Sequence, residues 1–107
     1  MSTAYSVYDN QNGTIVIRCR KSGLQGLYYR DGTFCHGGLY LFVAEARAVI
    51  LASARAAVVA SSPGASVYHD RAESDPAERY VILSQDGFDV LGSGRTPSQA
   101  WVDASSR

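Results

Sequence analysis

One long apolar stretch dominates the pattern of apolar and polar positions along the chain. It covers Leu39–Ala60 and is interrupted by Glu45, Arg47 and Arg55. A helix that spans a bilayer needs about 20 apolar residues, but charged side chains inside the bilayer are strongly disfavoured. Alanine, which is frequent in this stretch, is the best intrinsic helix former. We therefore expect the central buried helix of a soluble domain and no membrane span.

This first helix is predicted to begin near 41–43 and to end before the Ser61-Ser62-Pro63-Gly64 stop signal. Helical spacing assigns its apolar positions to two different sides. One side is expected to carry Phe42, Val49, Ile50 and Ala57, and another a smooth stripe of Ala44, Ala48, Ala52 and Ala56.

Three Asx-Gly dipeptides predict β-hairpins, because Asn, Asp and Gly tolerate the positive φ angles of type I′ turns. They are Asn12-Gly13, Asp31-Gly32 and Asp86-Gly87. Strand-like segments flank each dipeptide, and we expect strands over 3–9, 14–20, 27–30, 33–36, 80–85 and 88–91.

The second of these strands alternates strictly. Ile15, Ile17 and Cys19 alternate with Thr14, Val16, Arg18 and Arg20, which predicts one apolar face and one wet, basic face. In the next hairpin, a two-residue turn at 31–32 would set Tyr29 opposite Phe34 as an aromatic cross-strand pair.

A second, shorter helix is predicted over 97–104. Thr96 stands at the N-cap position, Pro97 at the first helical position and Gln99 where a capping box requires it. Trp101 is then expected to point at the core.

The segment 69–79 carries no large apolar residue and is predicted to be an exposed loop, with a short helix opening at Asp75 as the alternative. Val67 and Tyr68 before it fit a short strand. The fold class predicted is α+β: a mainly antiparallel sheet built from hairpins, with one long and one short helix packed on one face. We expect a single domain over residues 1–107.

Composition narrows the classes of protein. With 107 residues, 46% of them apolar and 19% charged, the chain fits one ordinary globular domain. The net charge is zero, so no global field attracts nucleic acid or an anionic membrane. No secretory signal is visible at the N-terminus, which favours a cytoplasmic location. The preference for Arg over Lys is typical of a GC-rich bacterial genome.

The cysteines and histidines are Cys19, Cys35, His36 and His69, a set that in principle suits zinc. Strand alternation places the side chains of the adjacent pair Cys35 and His36 on opposite faces, which argues against a metal site and against a thiol–imidazole pair. Cys19 and Cys35 are expected to be free, shielded and slow to react, with raised pKa values. No motif for a serine nucleophile or a phosphate-binding loop is present. The sequence therefore predicts no catalytic, cofactor or metal site, and a small thiol enzyme is a minor alternative.

Basic and aromatic residues concentrate between 18 and 30, where no acidic residue occurs. The candidate interaction face consists of Arg18, Arg20, Lys21, Tyr28, Tyr29 and Arg30. Tyr and Arg are enriched in the hot spots of protein–protein interfaces, which favours a non-catalytic accessory module that binds a protein partner. The alternative is nucleic-acid binding, because arginines and stackable rings on a sheet also suit a single strand.

Residues 80–104 resemble the strand–turn–strand and helix opening of HicB-type antitoxins. The resemblance is carried mainly by Gly94-Arg95-Thr96-Pro97-Ser98-Gln99-Ala100, which is similar to the family's G-x-T-x-x-[EQ]-A pattern, with Gln99 where Glu is usual. It covers about a quarter of the chain, and no appended DNA-binding segment follows. The resemblance implies a regulatory, antitoxin-type role as a further alternative.

Overall fold

A computed structural model describes residues 4–10 and 12–106. Thr3, where the first predicted strand begins, lies outside the described residues. The elements in chain order are strands β1 Tyr5–Asp9, β2 Thr14–Cys19, β3 Gln25–Tyr29 and β4 Phe34–Gly37, helix α1 Val43–Ser61, strands β5 Ser66–His69, β6 Tyr80–Leu83 and β7 Val90–Gly94, and helix α2 Pro97–Ser105.

The α+β class is confirmed, with antiparallel hairpins, one long helix and one short helix. The described strands form two sheets rather than the one expected, ordered β1-β2-β3-β4 and β5-β6-β7. The chain forms two compact units, residues 1–50 and 51–107, whose residues contact mainly others of the same unit. The single domain stays a prediction.

In the first unit, β2 has the predicted two-faced pattern. Ile15 and Ile17 are buried, Val16 between them is half-buried, and Arg18 is exposed. On the neighbouring strand Tyr28 is fully buried while Tyr29 is exposed. We call the face that carries Ile15, Ile17 and Tyr28 the inner face, and the opposite face the outer face.

The β3–β4 hairpin has a different turn from the one predicted. The amide of Gly32 donates to the carbonyl of Tyr29 at 2.9 Å, so Asp31 and Gly32 occupy the third and fourth turn positions. In a type I′ hairpin they would be the two central residues. Gly32 has φ +93°, and the side chain of Asp31 accepts from the amide of Thr33 at 2.8 Å.

The aromatic pair predicted across this hairpin is also different. Phe34 lies opposite Tyr28, not Tyr29, and their rings meet edge to face at 5.4 Å. The register shifts by a β-bulge between Leu27 and Tyr28. The longer turn and the bulge change the partner by one position, which moves the pair to the inner face.

The first half of α1 is fixed to the first unit by contacts near its N-terminus. Arg47 Nε donates to the carbonyl of Asp31 at 2.6 Å, and the Tyr5 hydroxyl donates to Glu45 at 3.2 Å. A Cβ on Gly32 would lie only 2.6 Å from Cγ of Arg47. Gly32 therefore permits both the turn and the close approach of the helix.

Helix α1 forms where the sequence predicted it, but it is not buried all round. Its buried positions are Ala46, Ile50, Ala54 and Val58, a single stripe at intervals of four residues. Of the predicted apolar side only Ile50 is buried, and Phe42, which precedes the helix, is 72% exposed. Val49 and Leu51 are half-buried, and Leu51 packs against the buried cluster of the second unit. The predicted alanine stripe is exposed: Ala44, Ala48, Ala52 and Ala56 all lie at the surface.

In the second unit, α2 packs directly on β7 at two glycines. A Cβ on Gly92 would lie 2.6 Å from the Cα of Ala104, and one on Gly94 would lie 2.7 Å from the amide nitrogen of Ala100. The buried cluster beneath the helix consists of Val58, Ile82, Ala100 and Trp101. Trp101 is 5% exposed, which confirms its predicted orientation toward the core.

The predicted cap of α2 is confirmed. The hydroxyl of Thr96 accepts from the amide of Gln99 at 3.2 Å, and Pro97 is the first helical residue. Gln99 reaches back to the amide of Arg95 at 3.1 Å, one residue before the position expected for a capping box.

The segment 69–79 combines both predicted alternatives. Apart from His69, the last residue of β5, it is a loop that contains one 3₁₀ turn, Pro76–Glu78, capped by Asp75. Val67 and Tyr68 are in a strand, as predicted. Within the described part of the chain, every helix is too short or too polar to cross a membrane.

Candidate interaction surface

The outer face of the first sheet brings together basic, aromatic and half-buried aliphatic side chains. Cross-strand pairing and the two-residue alternation of strands place Tyr8 beside Val16, Val16 beside Leu27, and Arg18 beside Gln25. The face consists of Ser6, Tyr8, Thr14, Val16, Arg18, Arg20, Gln25, Leu27, Tyr29 and His36.

The outer face carries positive charge without negative charge, because none of its described residues is acidic. Arg20 follows β2, and its Nε donates to the hydroxyl of Ser6 at 2.9 Å, which directs the guanidinium along the outer face. Arg18 lies opposite Ser6 in the register. Two arginines therefore share one face with two exposed tyrosine rings, Tyr8 at 55% and Tyr29 at 45% exposure.

The other three candidates do not lie on the outer face; they are Tyr28, Arg30 and Lys21. Tyr28 is fully buried, so its ring is not offered to a partner. Arg30 has the inward parity of Tyr28 and forms a salt bridge to Asp9 with an N–O distance of 3.0 Å. Lys21 is exposed in the loop between β2 and β3. Of the six predicted residues, the structure gathers Arg18, Arg20 and Tyr29 on the outer face.

Tyr8 is the residue of this face that the sequence prediction missed. Its register position opposite Val16 puts it on the outer face, on the strand next to the one that carries Arg18. Strand alternation in the sequence does group Tyr8 with Ser6 on one face, opposite to Tyr5, Val7 and Asp9.

A row of aromatic rings in the first unit was also missed. Edge-to-face contacts run from Phe34 to Tyr40 at 5.1 Å and from Tyr40 to Phe42 at 5.7 Å. The row begins at buried Tyr28 and ends at exposed Phe42. It depends on a loop conformation that no periodic pattern encodes.

Contrary to the prediction, Cys35 and His36 do not lie on opposite faces of the strand. His36 is the register partner of Leu27, and Cys35 is the extra residue of the bulge. The Cys35 thiol donates to the hydroxyl of Tyr29 at 3.6 Å, a contact that raises the pKa of Tyr29. Both residues of the pair are therefore directed to the outer face, because a bulge interrupts strict alternation.

Cys19 also differs from its prediction. It is a free, half-buried cysteine, as is Cys35. The hydroxyl and amide of Ser22, with the amide of Lys21, hold the pKa of the Cys19 thiol below its usual value, and the smaller effect of burial does not reverse this. The raised pKa expected of Cys19 is therefore wrong. Among the described residues no group of three or more His, Cys, Asp or Glu is placed to hold a metal ion.

Comparison of the chain with protein families, with curated proteins and with solved structures yields no match. The resemblance to HicB-type antitoxins stays a local one over residues 80–104. The interpretation of the outer face rests on its geometry.

Proposed function

We propose that this chain is a non-catalytic bacterial interaction module that binds an acidic protein surface through the outer face of its first sheet. The supporting observation is the combination, on one face without carboxylates, of Arg18 and Arg20 with exposed Tyr8 and Tyr29.

Each component of the face has a role in binding. Tyrosine rings supply apolar area at low entropic cost, and arginine forms charge-assisted hydrogen bonds with carboxylates. The half-buried Val16 and Leu27 between them provide an apolar centre. Like-sign charge on the face favours partners of opposite sign and rejects basic ones.

A paired charge-reversal experiment tests the proposal. The double variant Arg18→Glu with Arg20→Glu reverses the charge of the face, and the double variant Arg71→Glu with Arg79→Glu makes the same change in the exposed 69–79 loop. Affinity capture from bacterial lysate is followed by quantitative mass spectrometry. We expect at least one acidic protein that the native chain and the loop variant retain and that the face variant loses.

The purified partner then gives the decisive measurement. Its affinity for the Tyr8→Ala and Tyr29→Ala variants should fall by about 10-fold or more each, as for hot-spot residues. If the face variant captures the same proteins as the native chain, or if these tyrosines change nothing, the outer face is not the interface. Turnover of a small-molecule panel in the absence of any partner would instead indicate an enzyme.

Single-stranded nucleic acid is the second candidate, because rings and arginines on a sheet also suit stacked bases and phosphates. A labelled oligonucleotide distinguishes it from an acidic protein. Binding that weakens steeply with salt, with a slope that flattens in the variant Arg18→Ala with Arg20→Ala, would favour nucleic acid. Lack of binding at low ionic strength would exclude it.

A further inference from the structure

A cleft in the second unit combines apolar walls with a few polar groups, as ligand-binding pockets do. Its volume is about 370 Å³, and it is bounded by the second half of α1, the start of β5 and the first turn of α2. Leu51, Val67 and Trp101 supply apolar walls, and Ser66 and Ser98 supply hydroxyl groups. Among the described residues that line the cleft, Arg55 is the one that carries a charge.

Arg55 is held at this cleft by Trp101. Its guanidinium carbon lies 5.5 Å from the centroid of the Trp101 ring, in the range of a cation–π interaction. No hydrogen bond or ion pair joins Arg55 to another described residue, and none of the described lining residues is acidic. The planar donor edge of the guanidinium is therefore available to an anion.

We propose that the cleft binds a carboxylate attached to an apolar group. The carboxylate accepts two parallel hydrogen bonds from Arg55, the arrangement that matches guanidinium geometry. The apolar group packs against Leu51, Val67 and Trp101, where burial of apolar area adds to affinity. The single positive charge of Arg55 matches the single negative charge of a carboxylate, and the hydroxyls of Ser66 and Ser98 can donate further hydrogen bonds to that carboxylate.

Two sources supply this chemistry: a small free carboxylic acid, and the C-terminal carboxylate of a peptide whose last residue is apolar. The probes are 3-phenylpropionate for the first and acetyl-Ala-Ala-Phe for the second. Each acid is compared with its primary amide, which has nearly the same shape and no charge.

Trp101 is the only tryptophan of the chain, so its fluorescence reports on the cleft without a label. We expect a saturable change with at least one acid, and affinity about 10-fold or more weaker for the matching amide, because a charge-assisted hydrogen bond is lost. Backbone amide shifts of Leu51 and Val67 in NMR spectra locate the binding independently of the fluorescence.

Arg55→Gln removes the charge and should abolish the preference for acid over amide. Arg71→Gln, an equal charge change in the 69–79 loop, should leave it intact. Saturation by both acids supports a site that accepts a small acid, and saturation by the peptide alone supports a peptide C-terminus. Equal binding of acid and amide, an unaltered preference in Arg55→Gln, or no saturation up to about 10 mM of either acid overturns the proposal.

Discussion

The hydroxyl of Tyr28 donates a hydrogen bond of 2.7 Å to the carbonyl of Leu39, eleven residues further along the chain. The same oxygen accepts a bond of 2.7 Å from the amide of Leu41. One buried phenol thus satisfies two backbone groups of the segment that leads into α1. Burial, the largest effect on this phenol, raises the pKa of Tyr28.

Replacing Tyr28 with Phe tests this relationship. The ring would remain, but two backbone groups would lose their partner, which costs about 1–3 kcal/mol for a buried group. Urea denaturation should show that loss in the free energy of unfolding. Tyr29→Phe, which alters an exposed neighbour, is the matched control and should change stability by less than about 0.5 kcal/mol. Equal stability of the two variants would contradict the role of the Tyr28 hydroxyl.

Gly92→Ala should destabilise the second unit, because the added methyl group would meet the backbone of Ala104. Overpacking of this kind costs about 1–3 kcal/mol. The clash is between a methyl group fixed to the backbone of β7 and the backbone of α2, so a side-chain rotation cannot relieve it. Gly38→Ala is the control, since a Cβ there has ordinary contacts of 3.6 Å to Leu24 and 3.9 Å to Gln25. Thermal melting of both variants decides the point, and a native-like Gly92→Ala would mean that α2 sits further from β7.

Trp101→Ala should severely lower the melting temperature. The ring is 5% exposed and belongs to the buried cluster with Ile82. Truncation of a buried Trp costs about 3–5 kcal/mol. Phe88→Ala removes an aromatic side chain that is 87% exposed and should leave the melting temperature nearly unchanged. A shift of only a degree or two for Trp101→Ala would contradict the packing of α2.

Cys19 should label faster than a thiol with an ordinary pKa at neutral pH. Its pKa is lowered, chiefly by the Ser22 hydroxyl, so the reactive thiolate is populated at lower pH than usual. In a Cys35→Ser background, Ser22→Ala should move the midpoint of the labelling-rate profile to higher pH. Lys21→Gln removes the charge of Lys21, which has the smallest effect on the pKa of Cys19, and should move this midpoint less. An identical midpoint in Ser22→Ala would show that the hydroxyl does not act on the thiol.

The elements themselves were predictable because their signals are local. The Thr96–Pro97 start places the first turn of α2 without reference to the rest of the fold, since a cap satisfies amides only three residues away. Likewise, alternation in β2 set Ile15 and Ile17 on one face, because side chains of a strand repeat every two residues.

The composition of the interaction face was only partly predictable. Arg18 and Arg20 follow from alternation in one strand. Alternation in β1 groups Tyr8 with Ser6, but only the register with β2 shows that this face is the one that carries the arginines. Tyr28 was assigned to the face because it lies close in sequence to the basic residues. Its burial and its hydrogen bonds to Leu39 and Leu41 place it on the inner face instead. Cys35 and His36 were assigned to opposite faces by strand alternation, which the bulge in β4 interrupts.

By itself the sequence determined the α+β class, the positions of the two helices and the three Asx-Gly connections, since each depends on residues close together in the chain. Tertiary structure decided the division of the strands into two sheets, the buried stripe of α1 and the cleft at Arg55 and Trp101. Strand partners and helix faces depend on contacts between residues far apart in the chain. An alanine-rich helix adds to that ambiguity, because the small apolar area of each alanine contributes little free energy to distinguish a buried face from an exposed one.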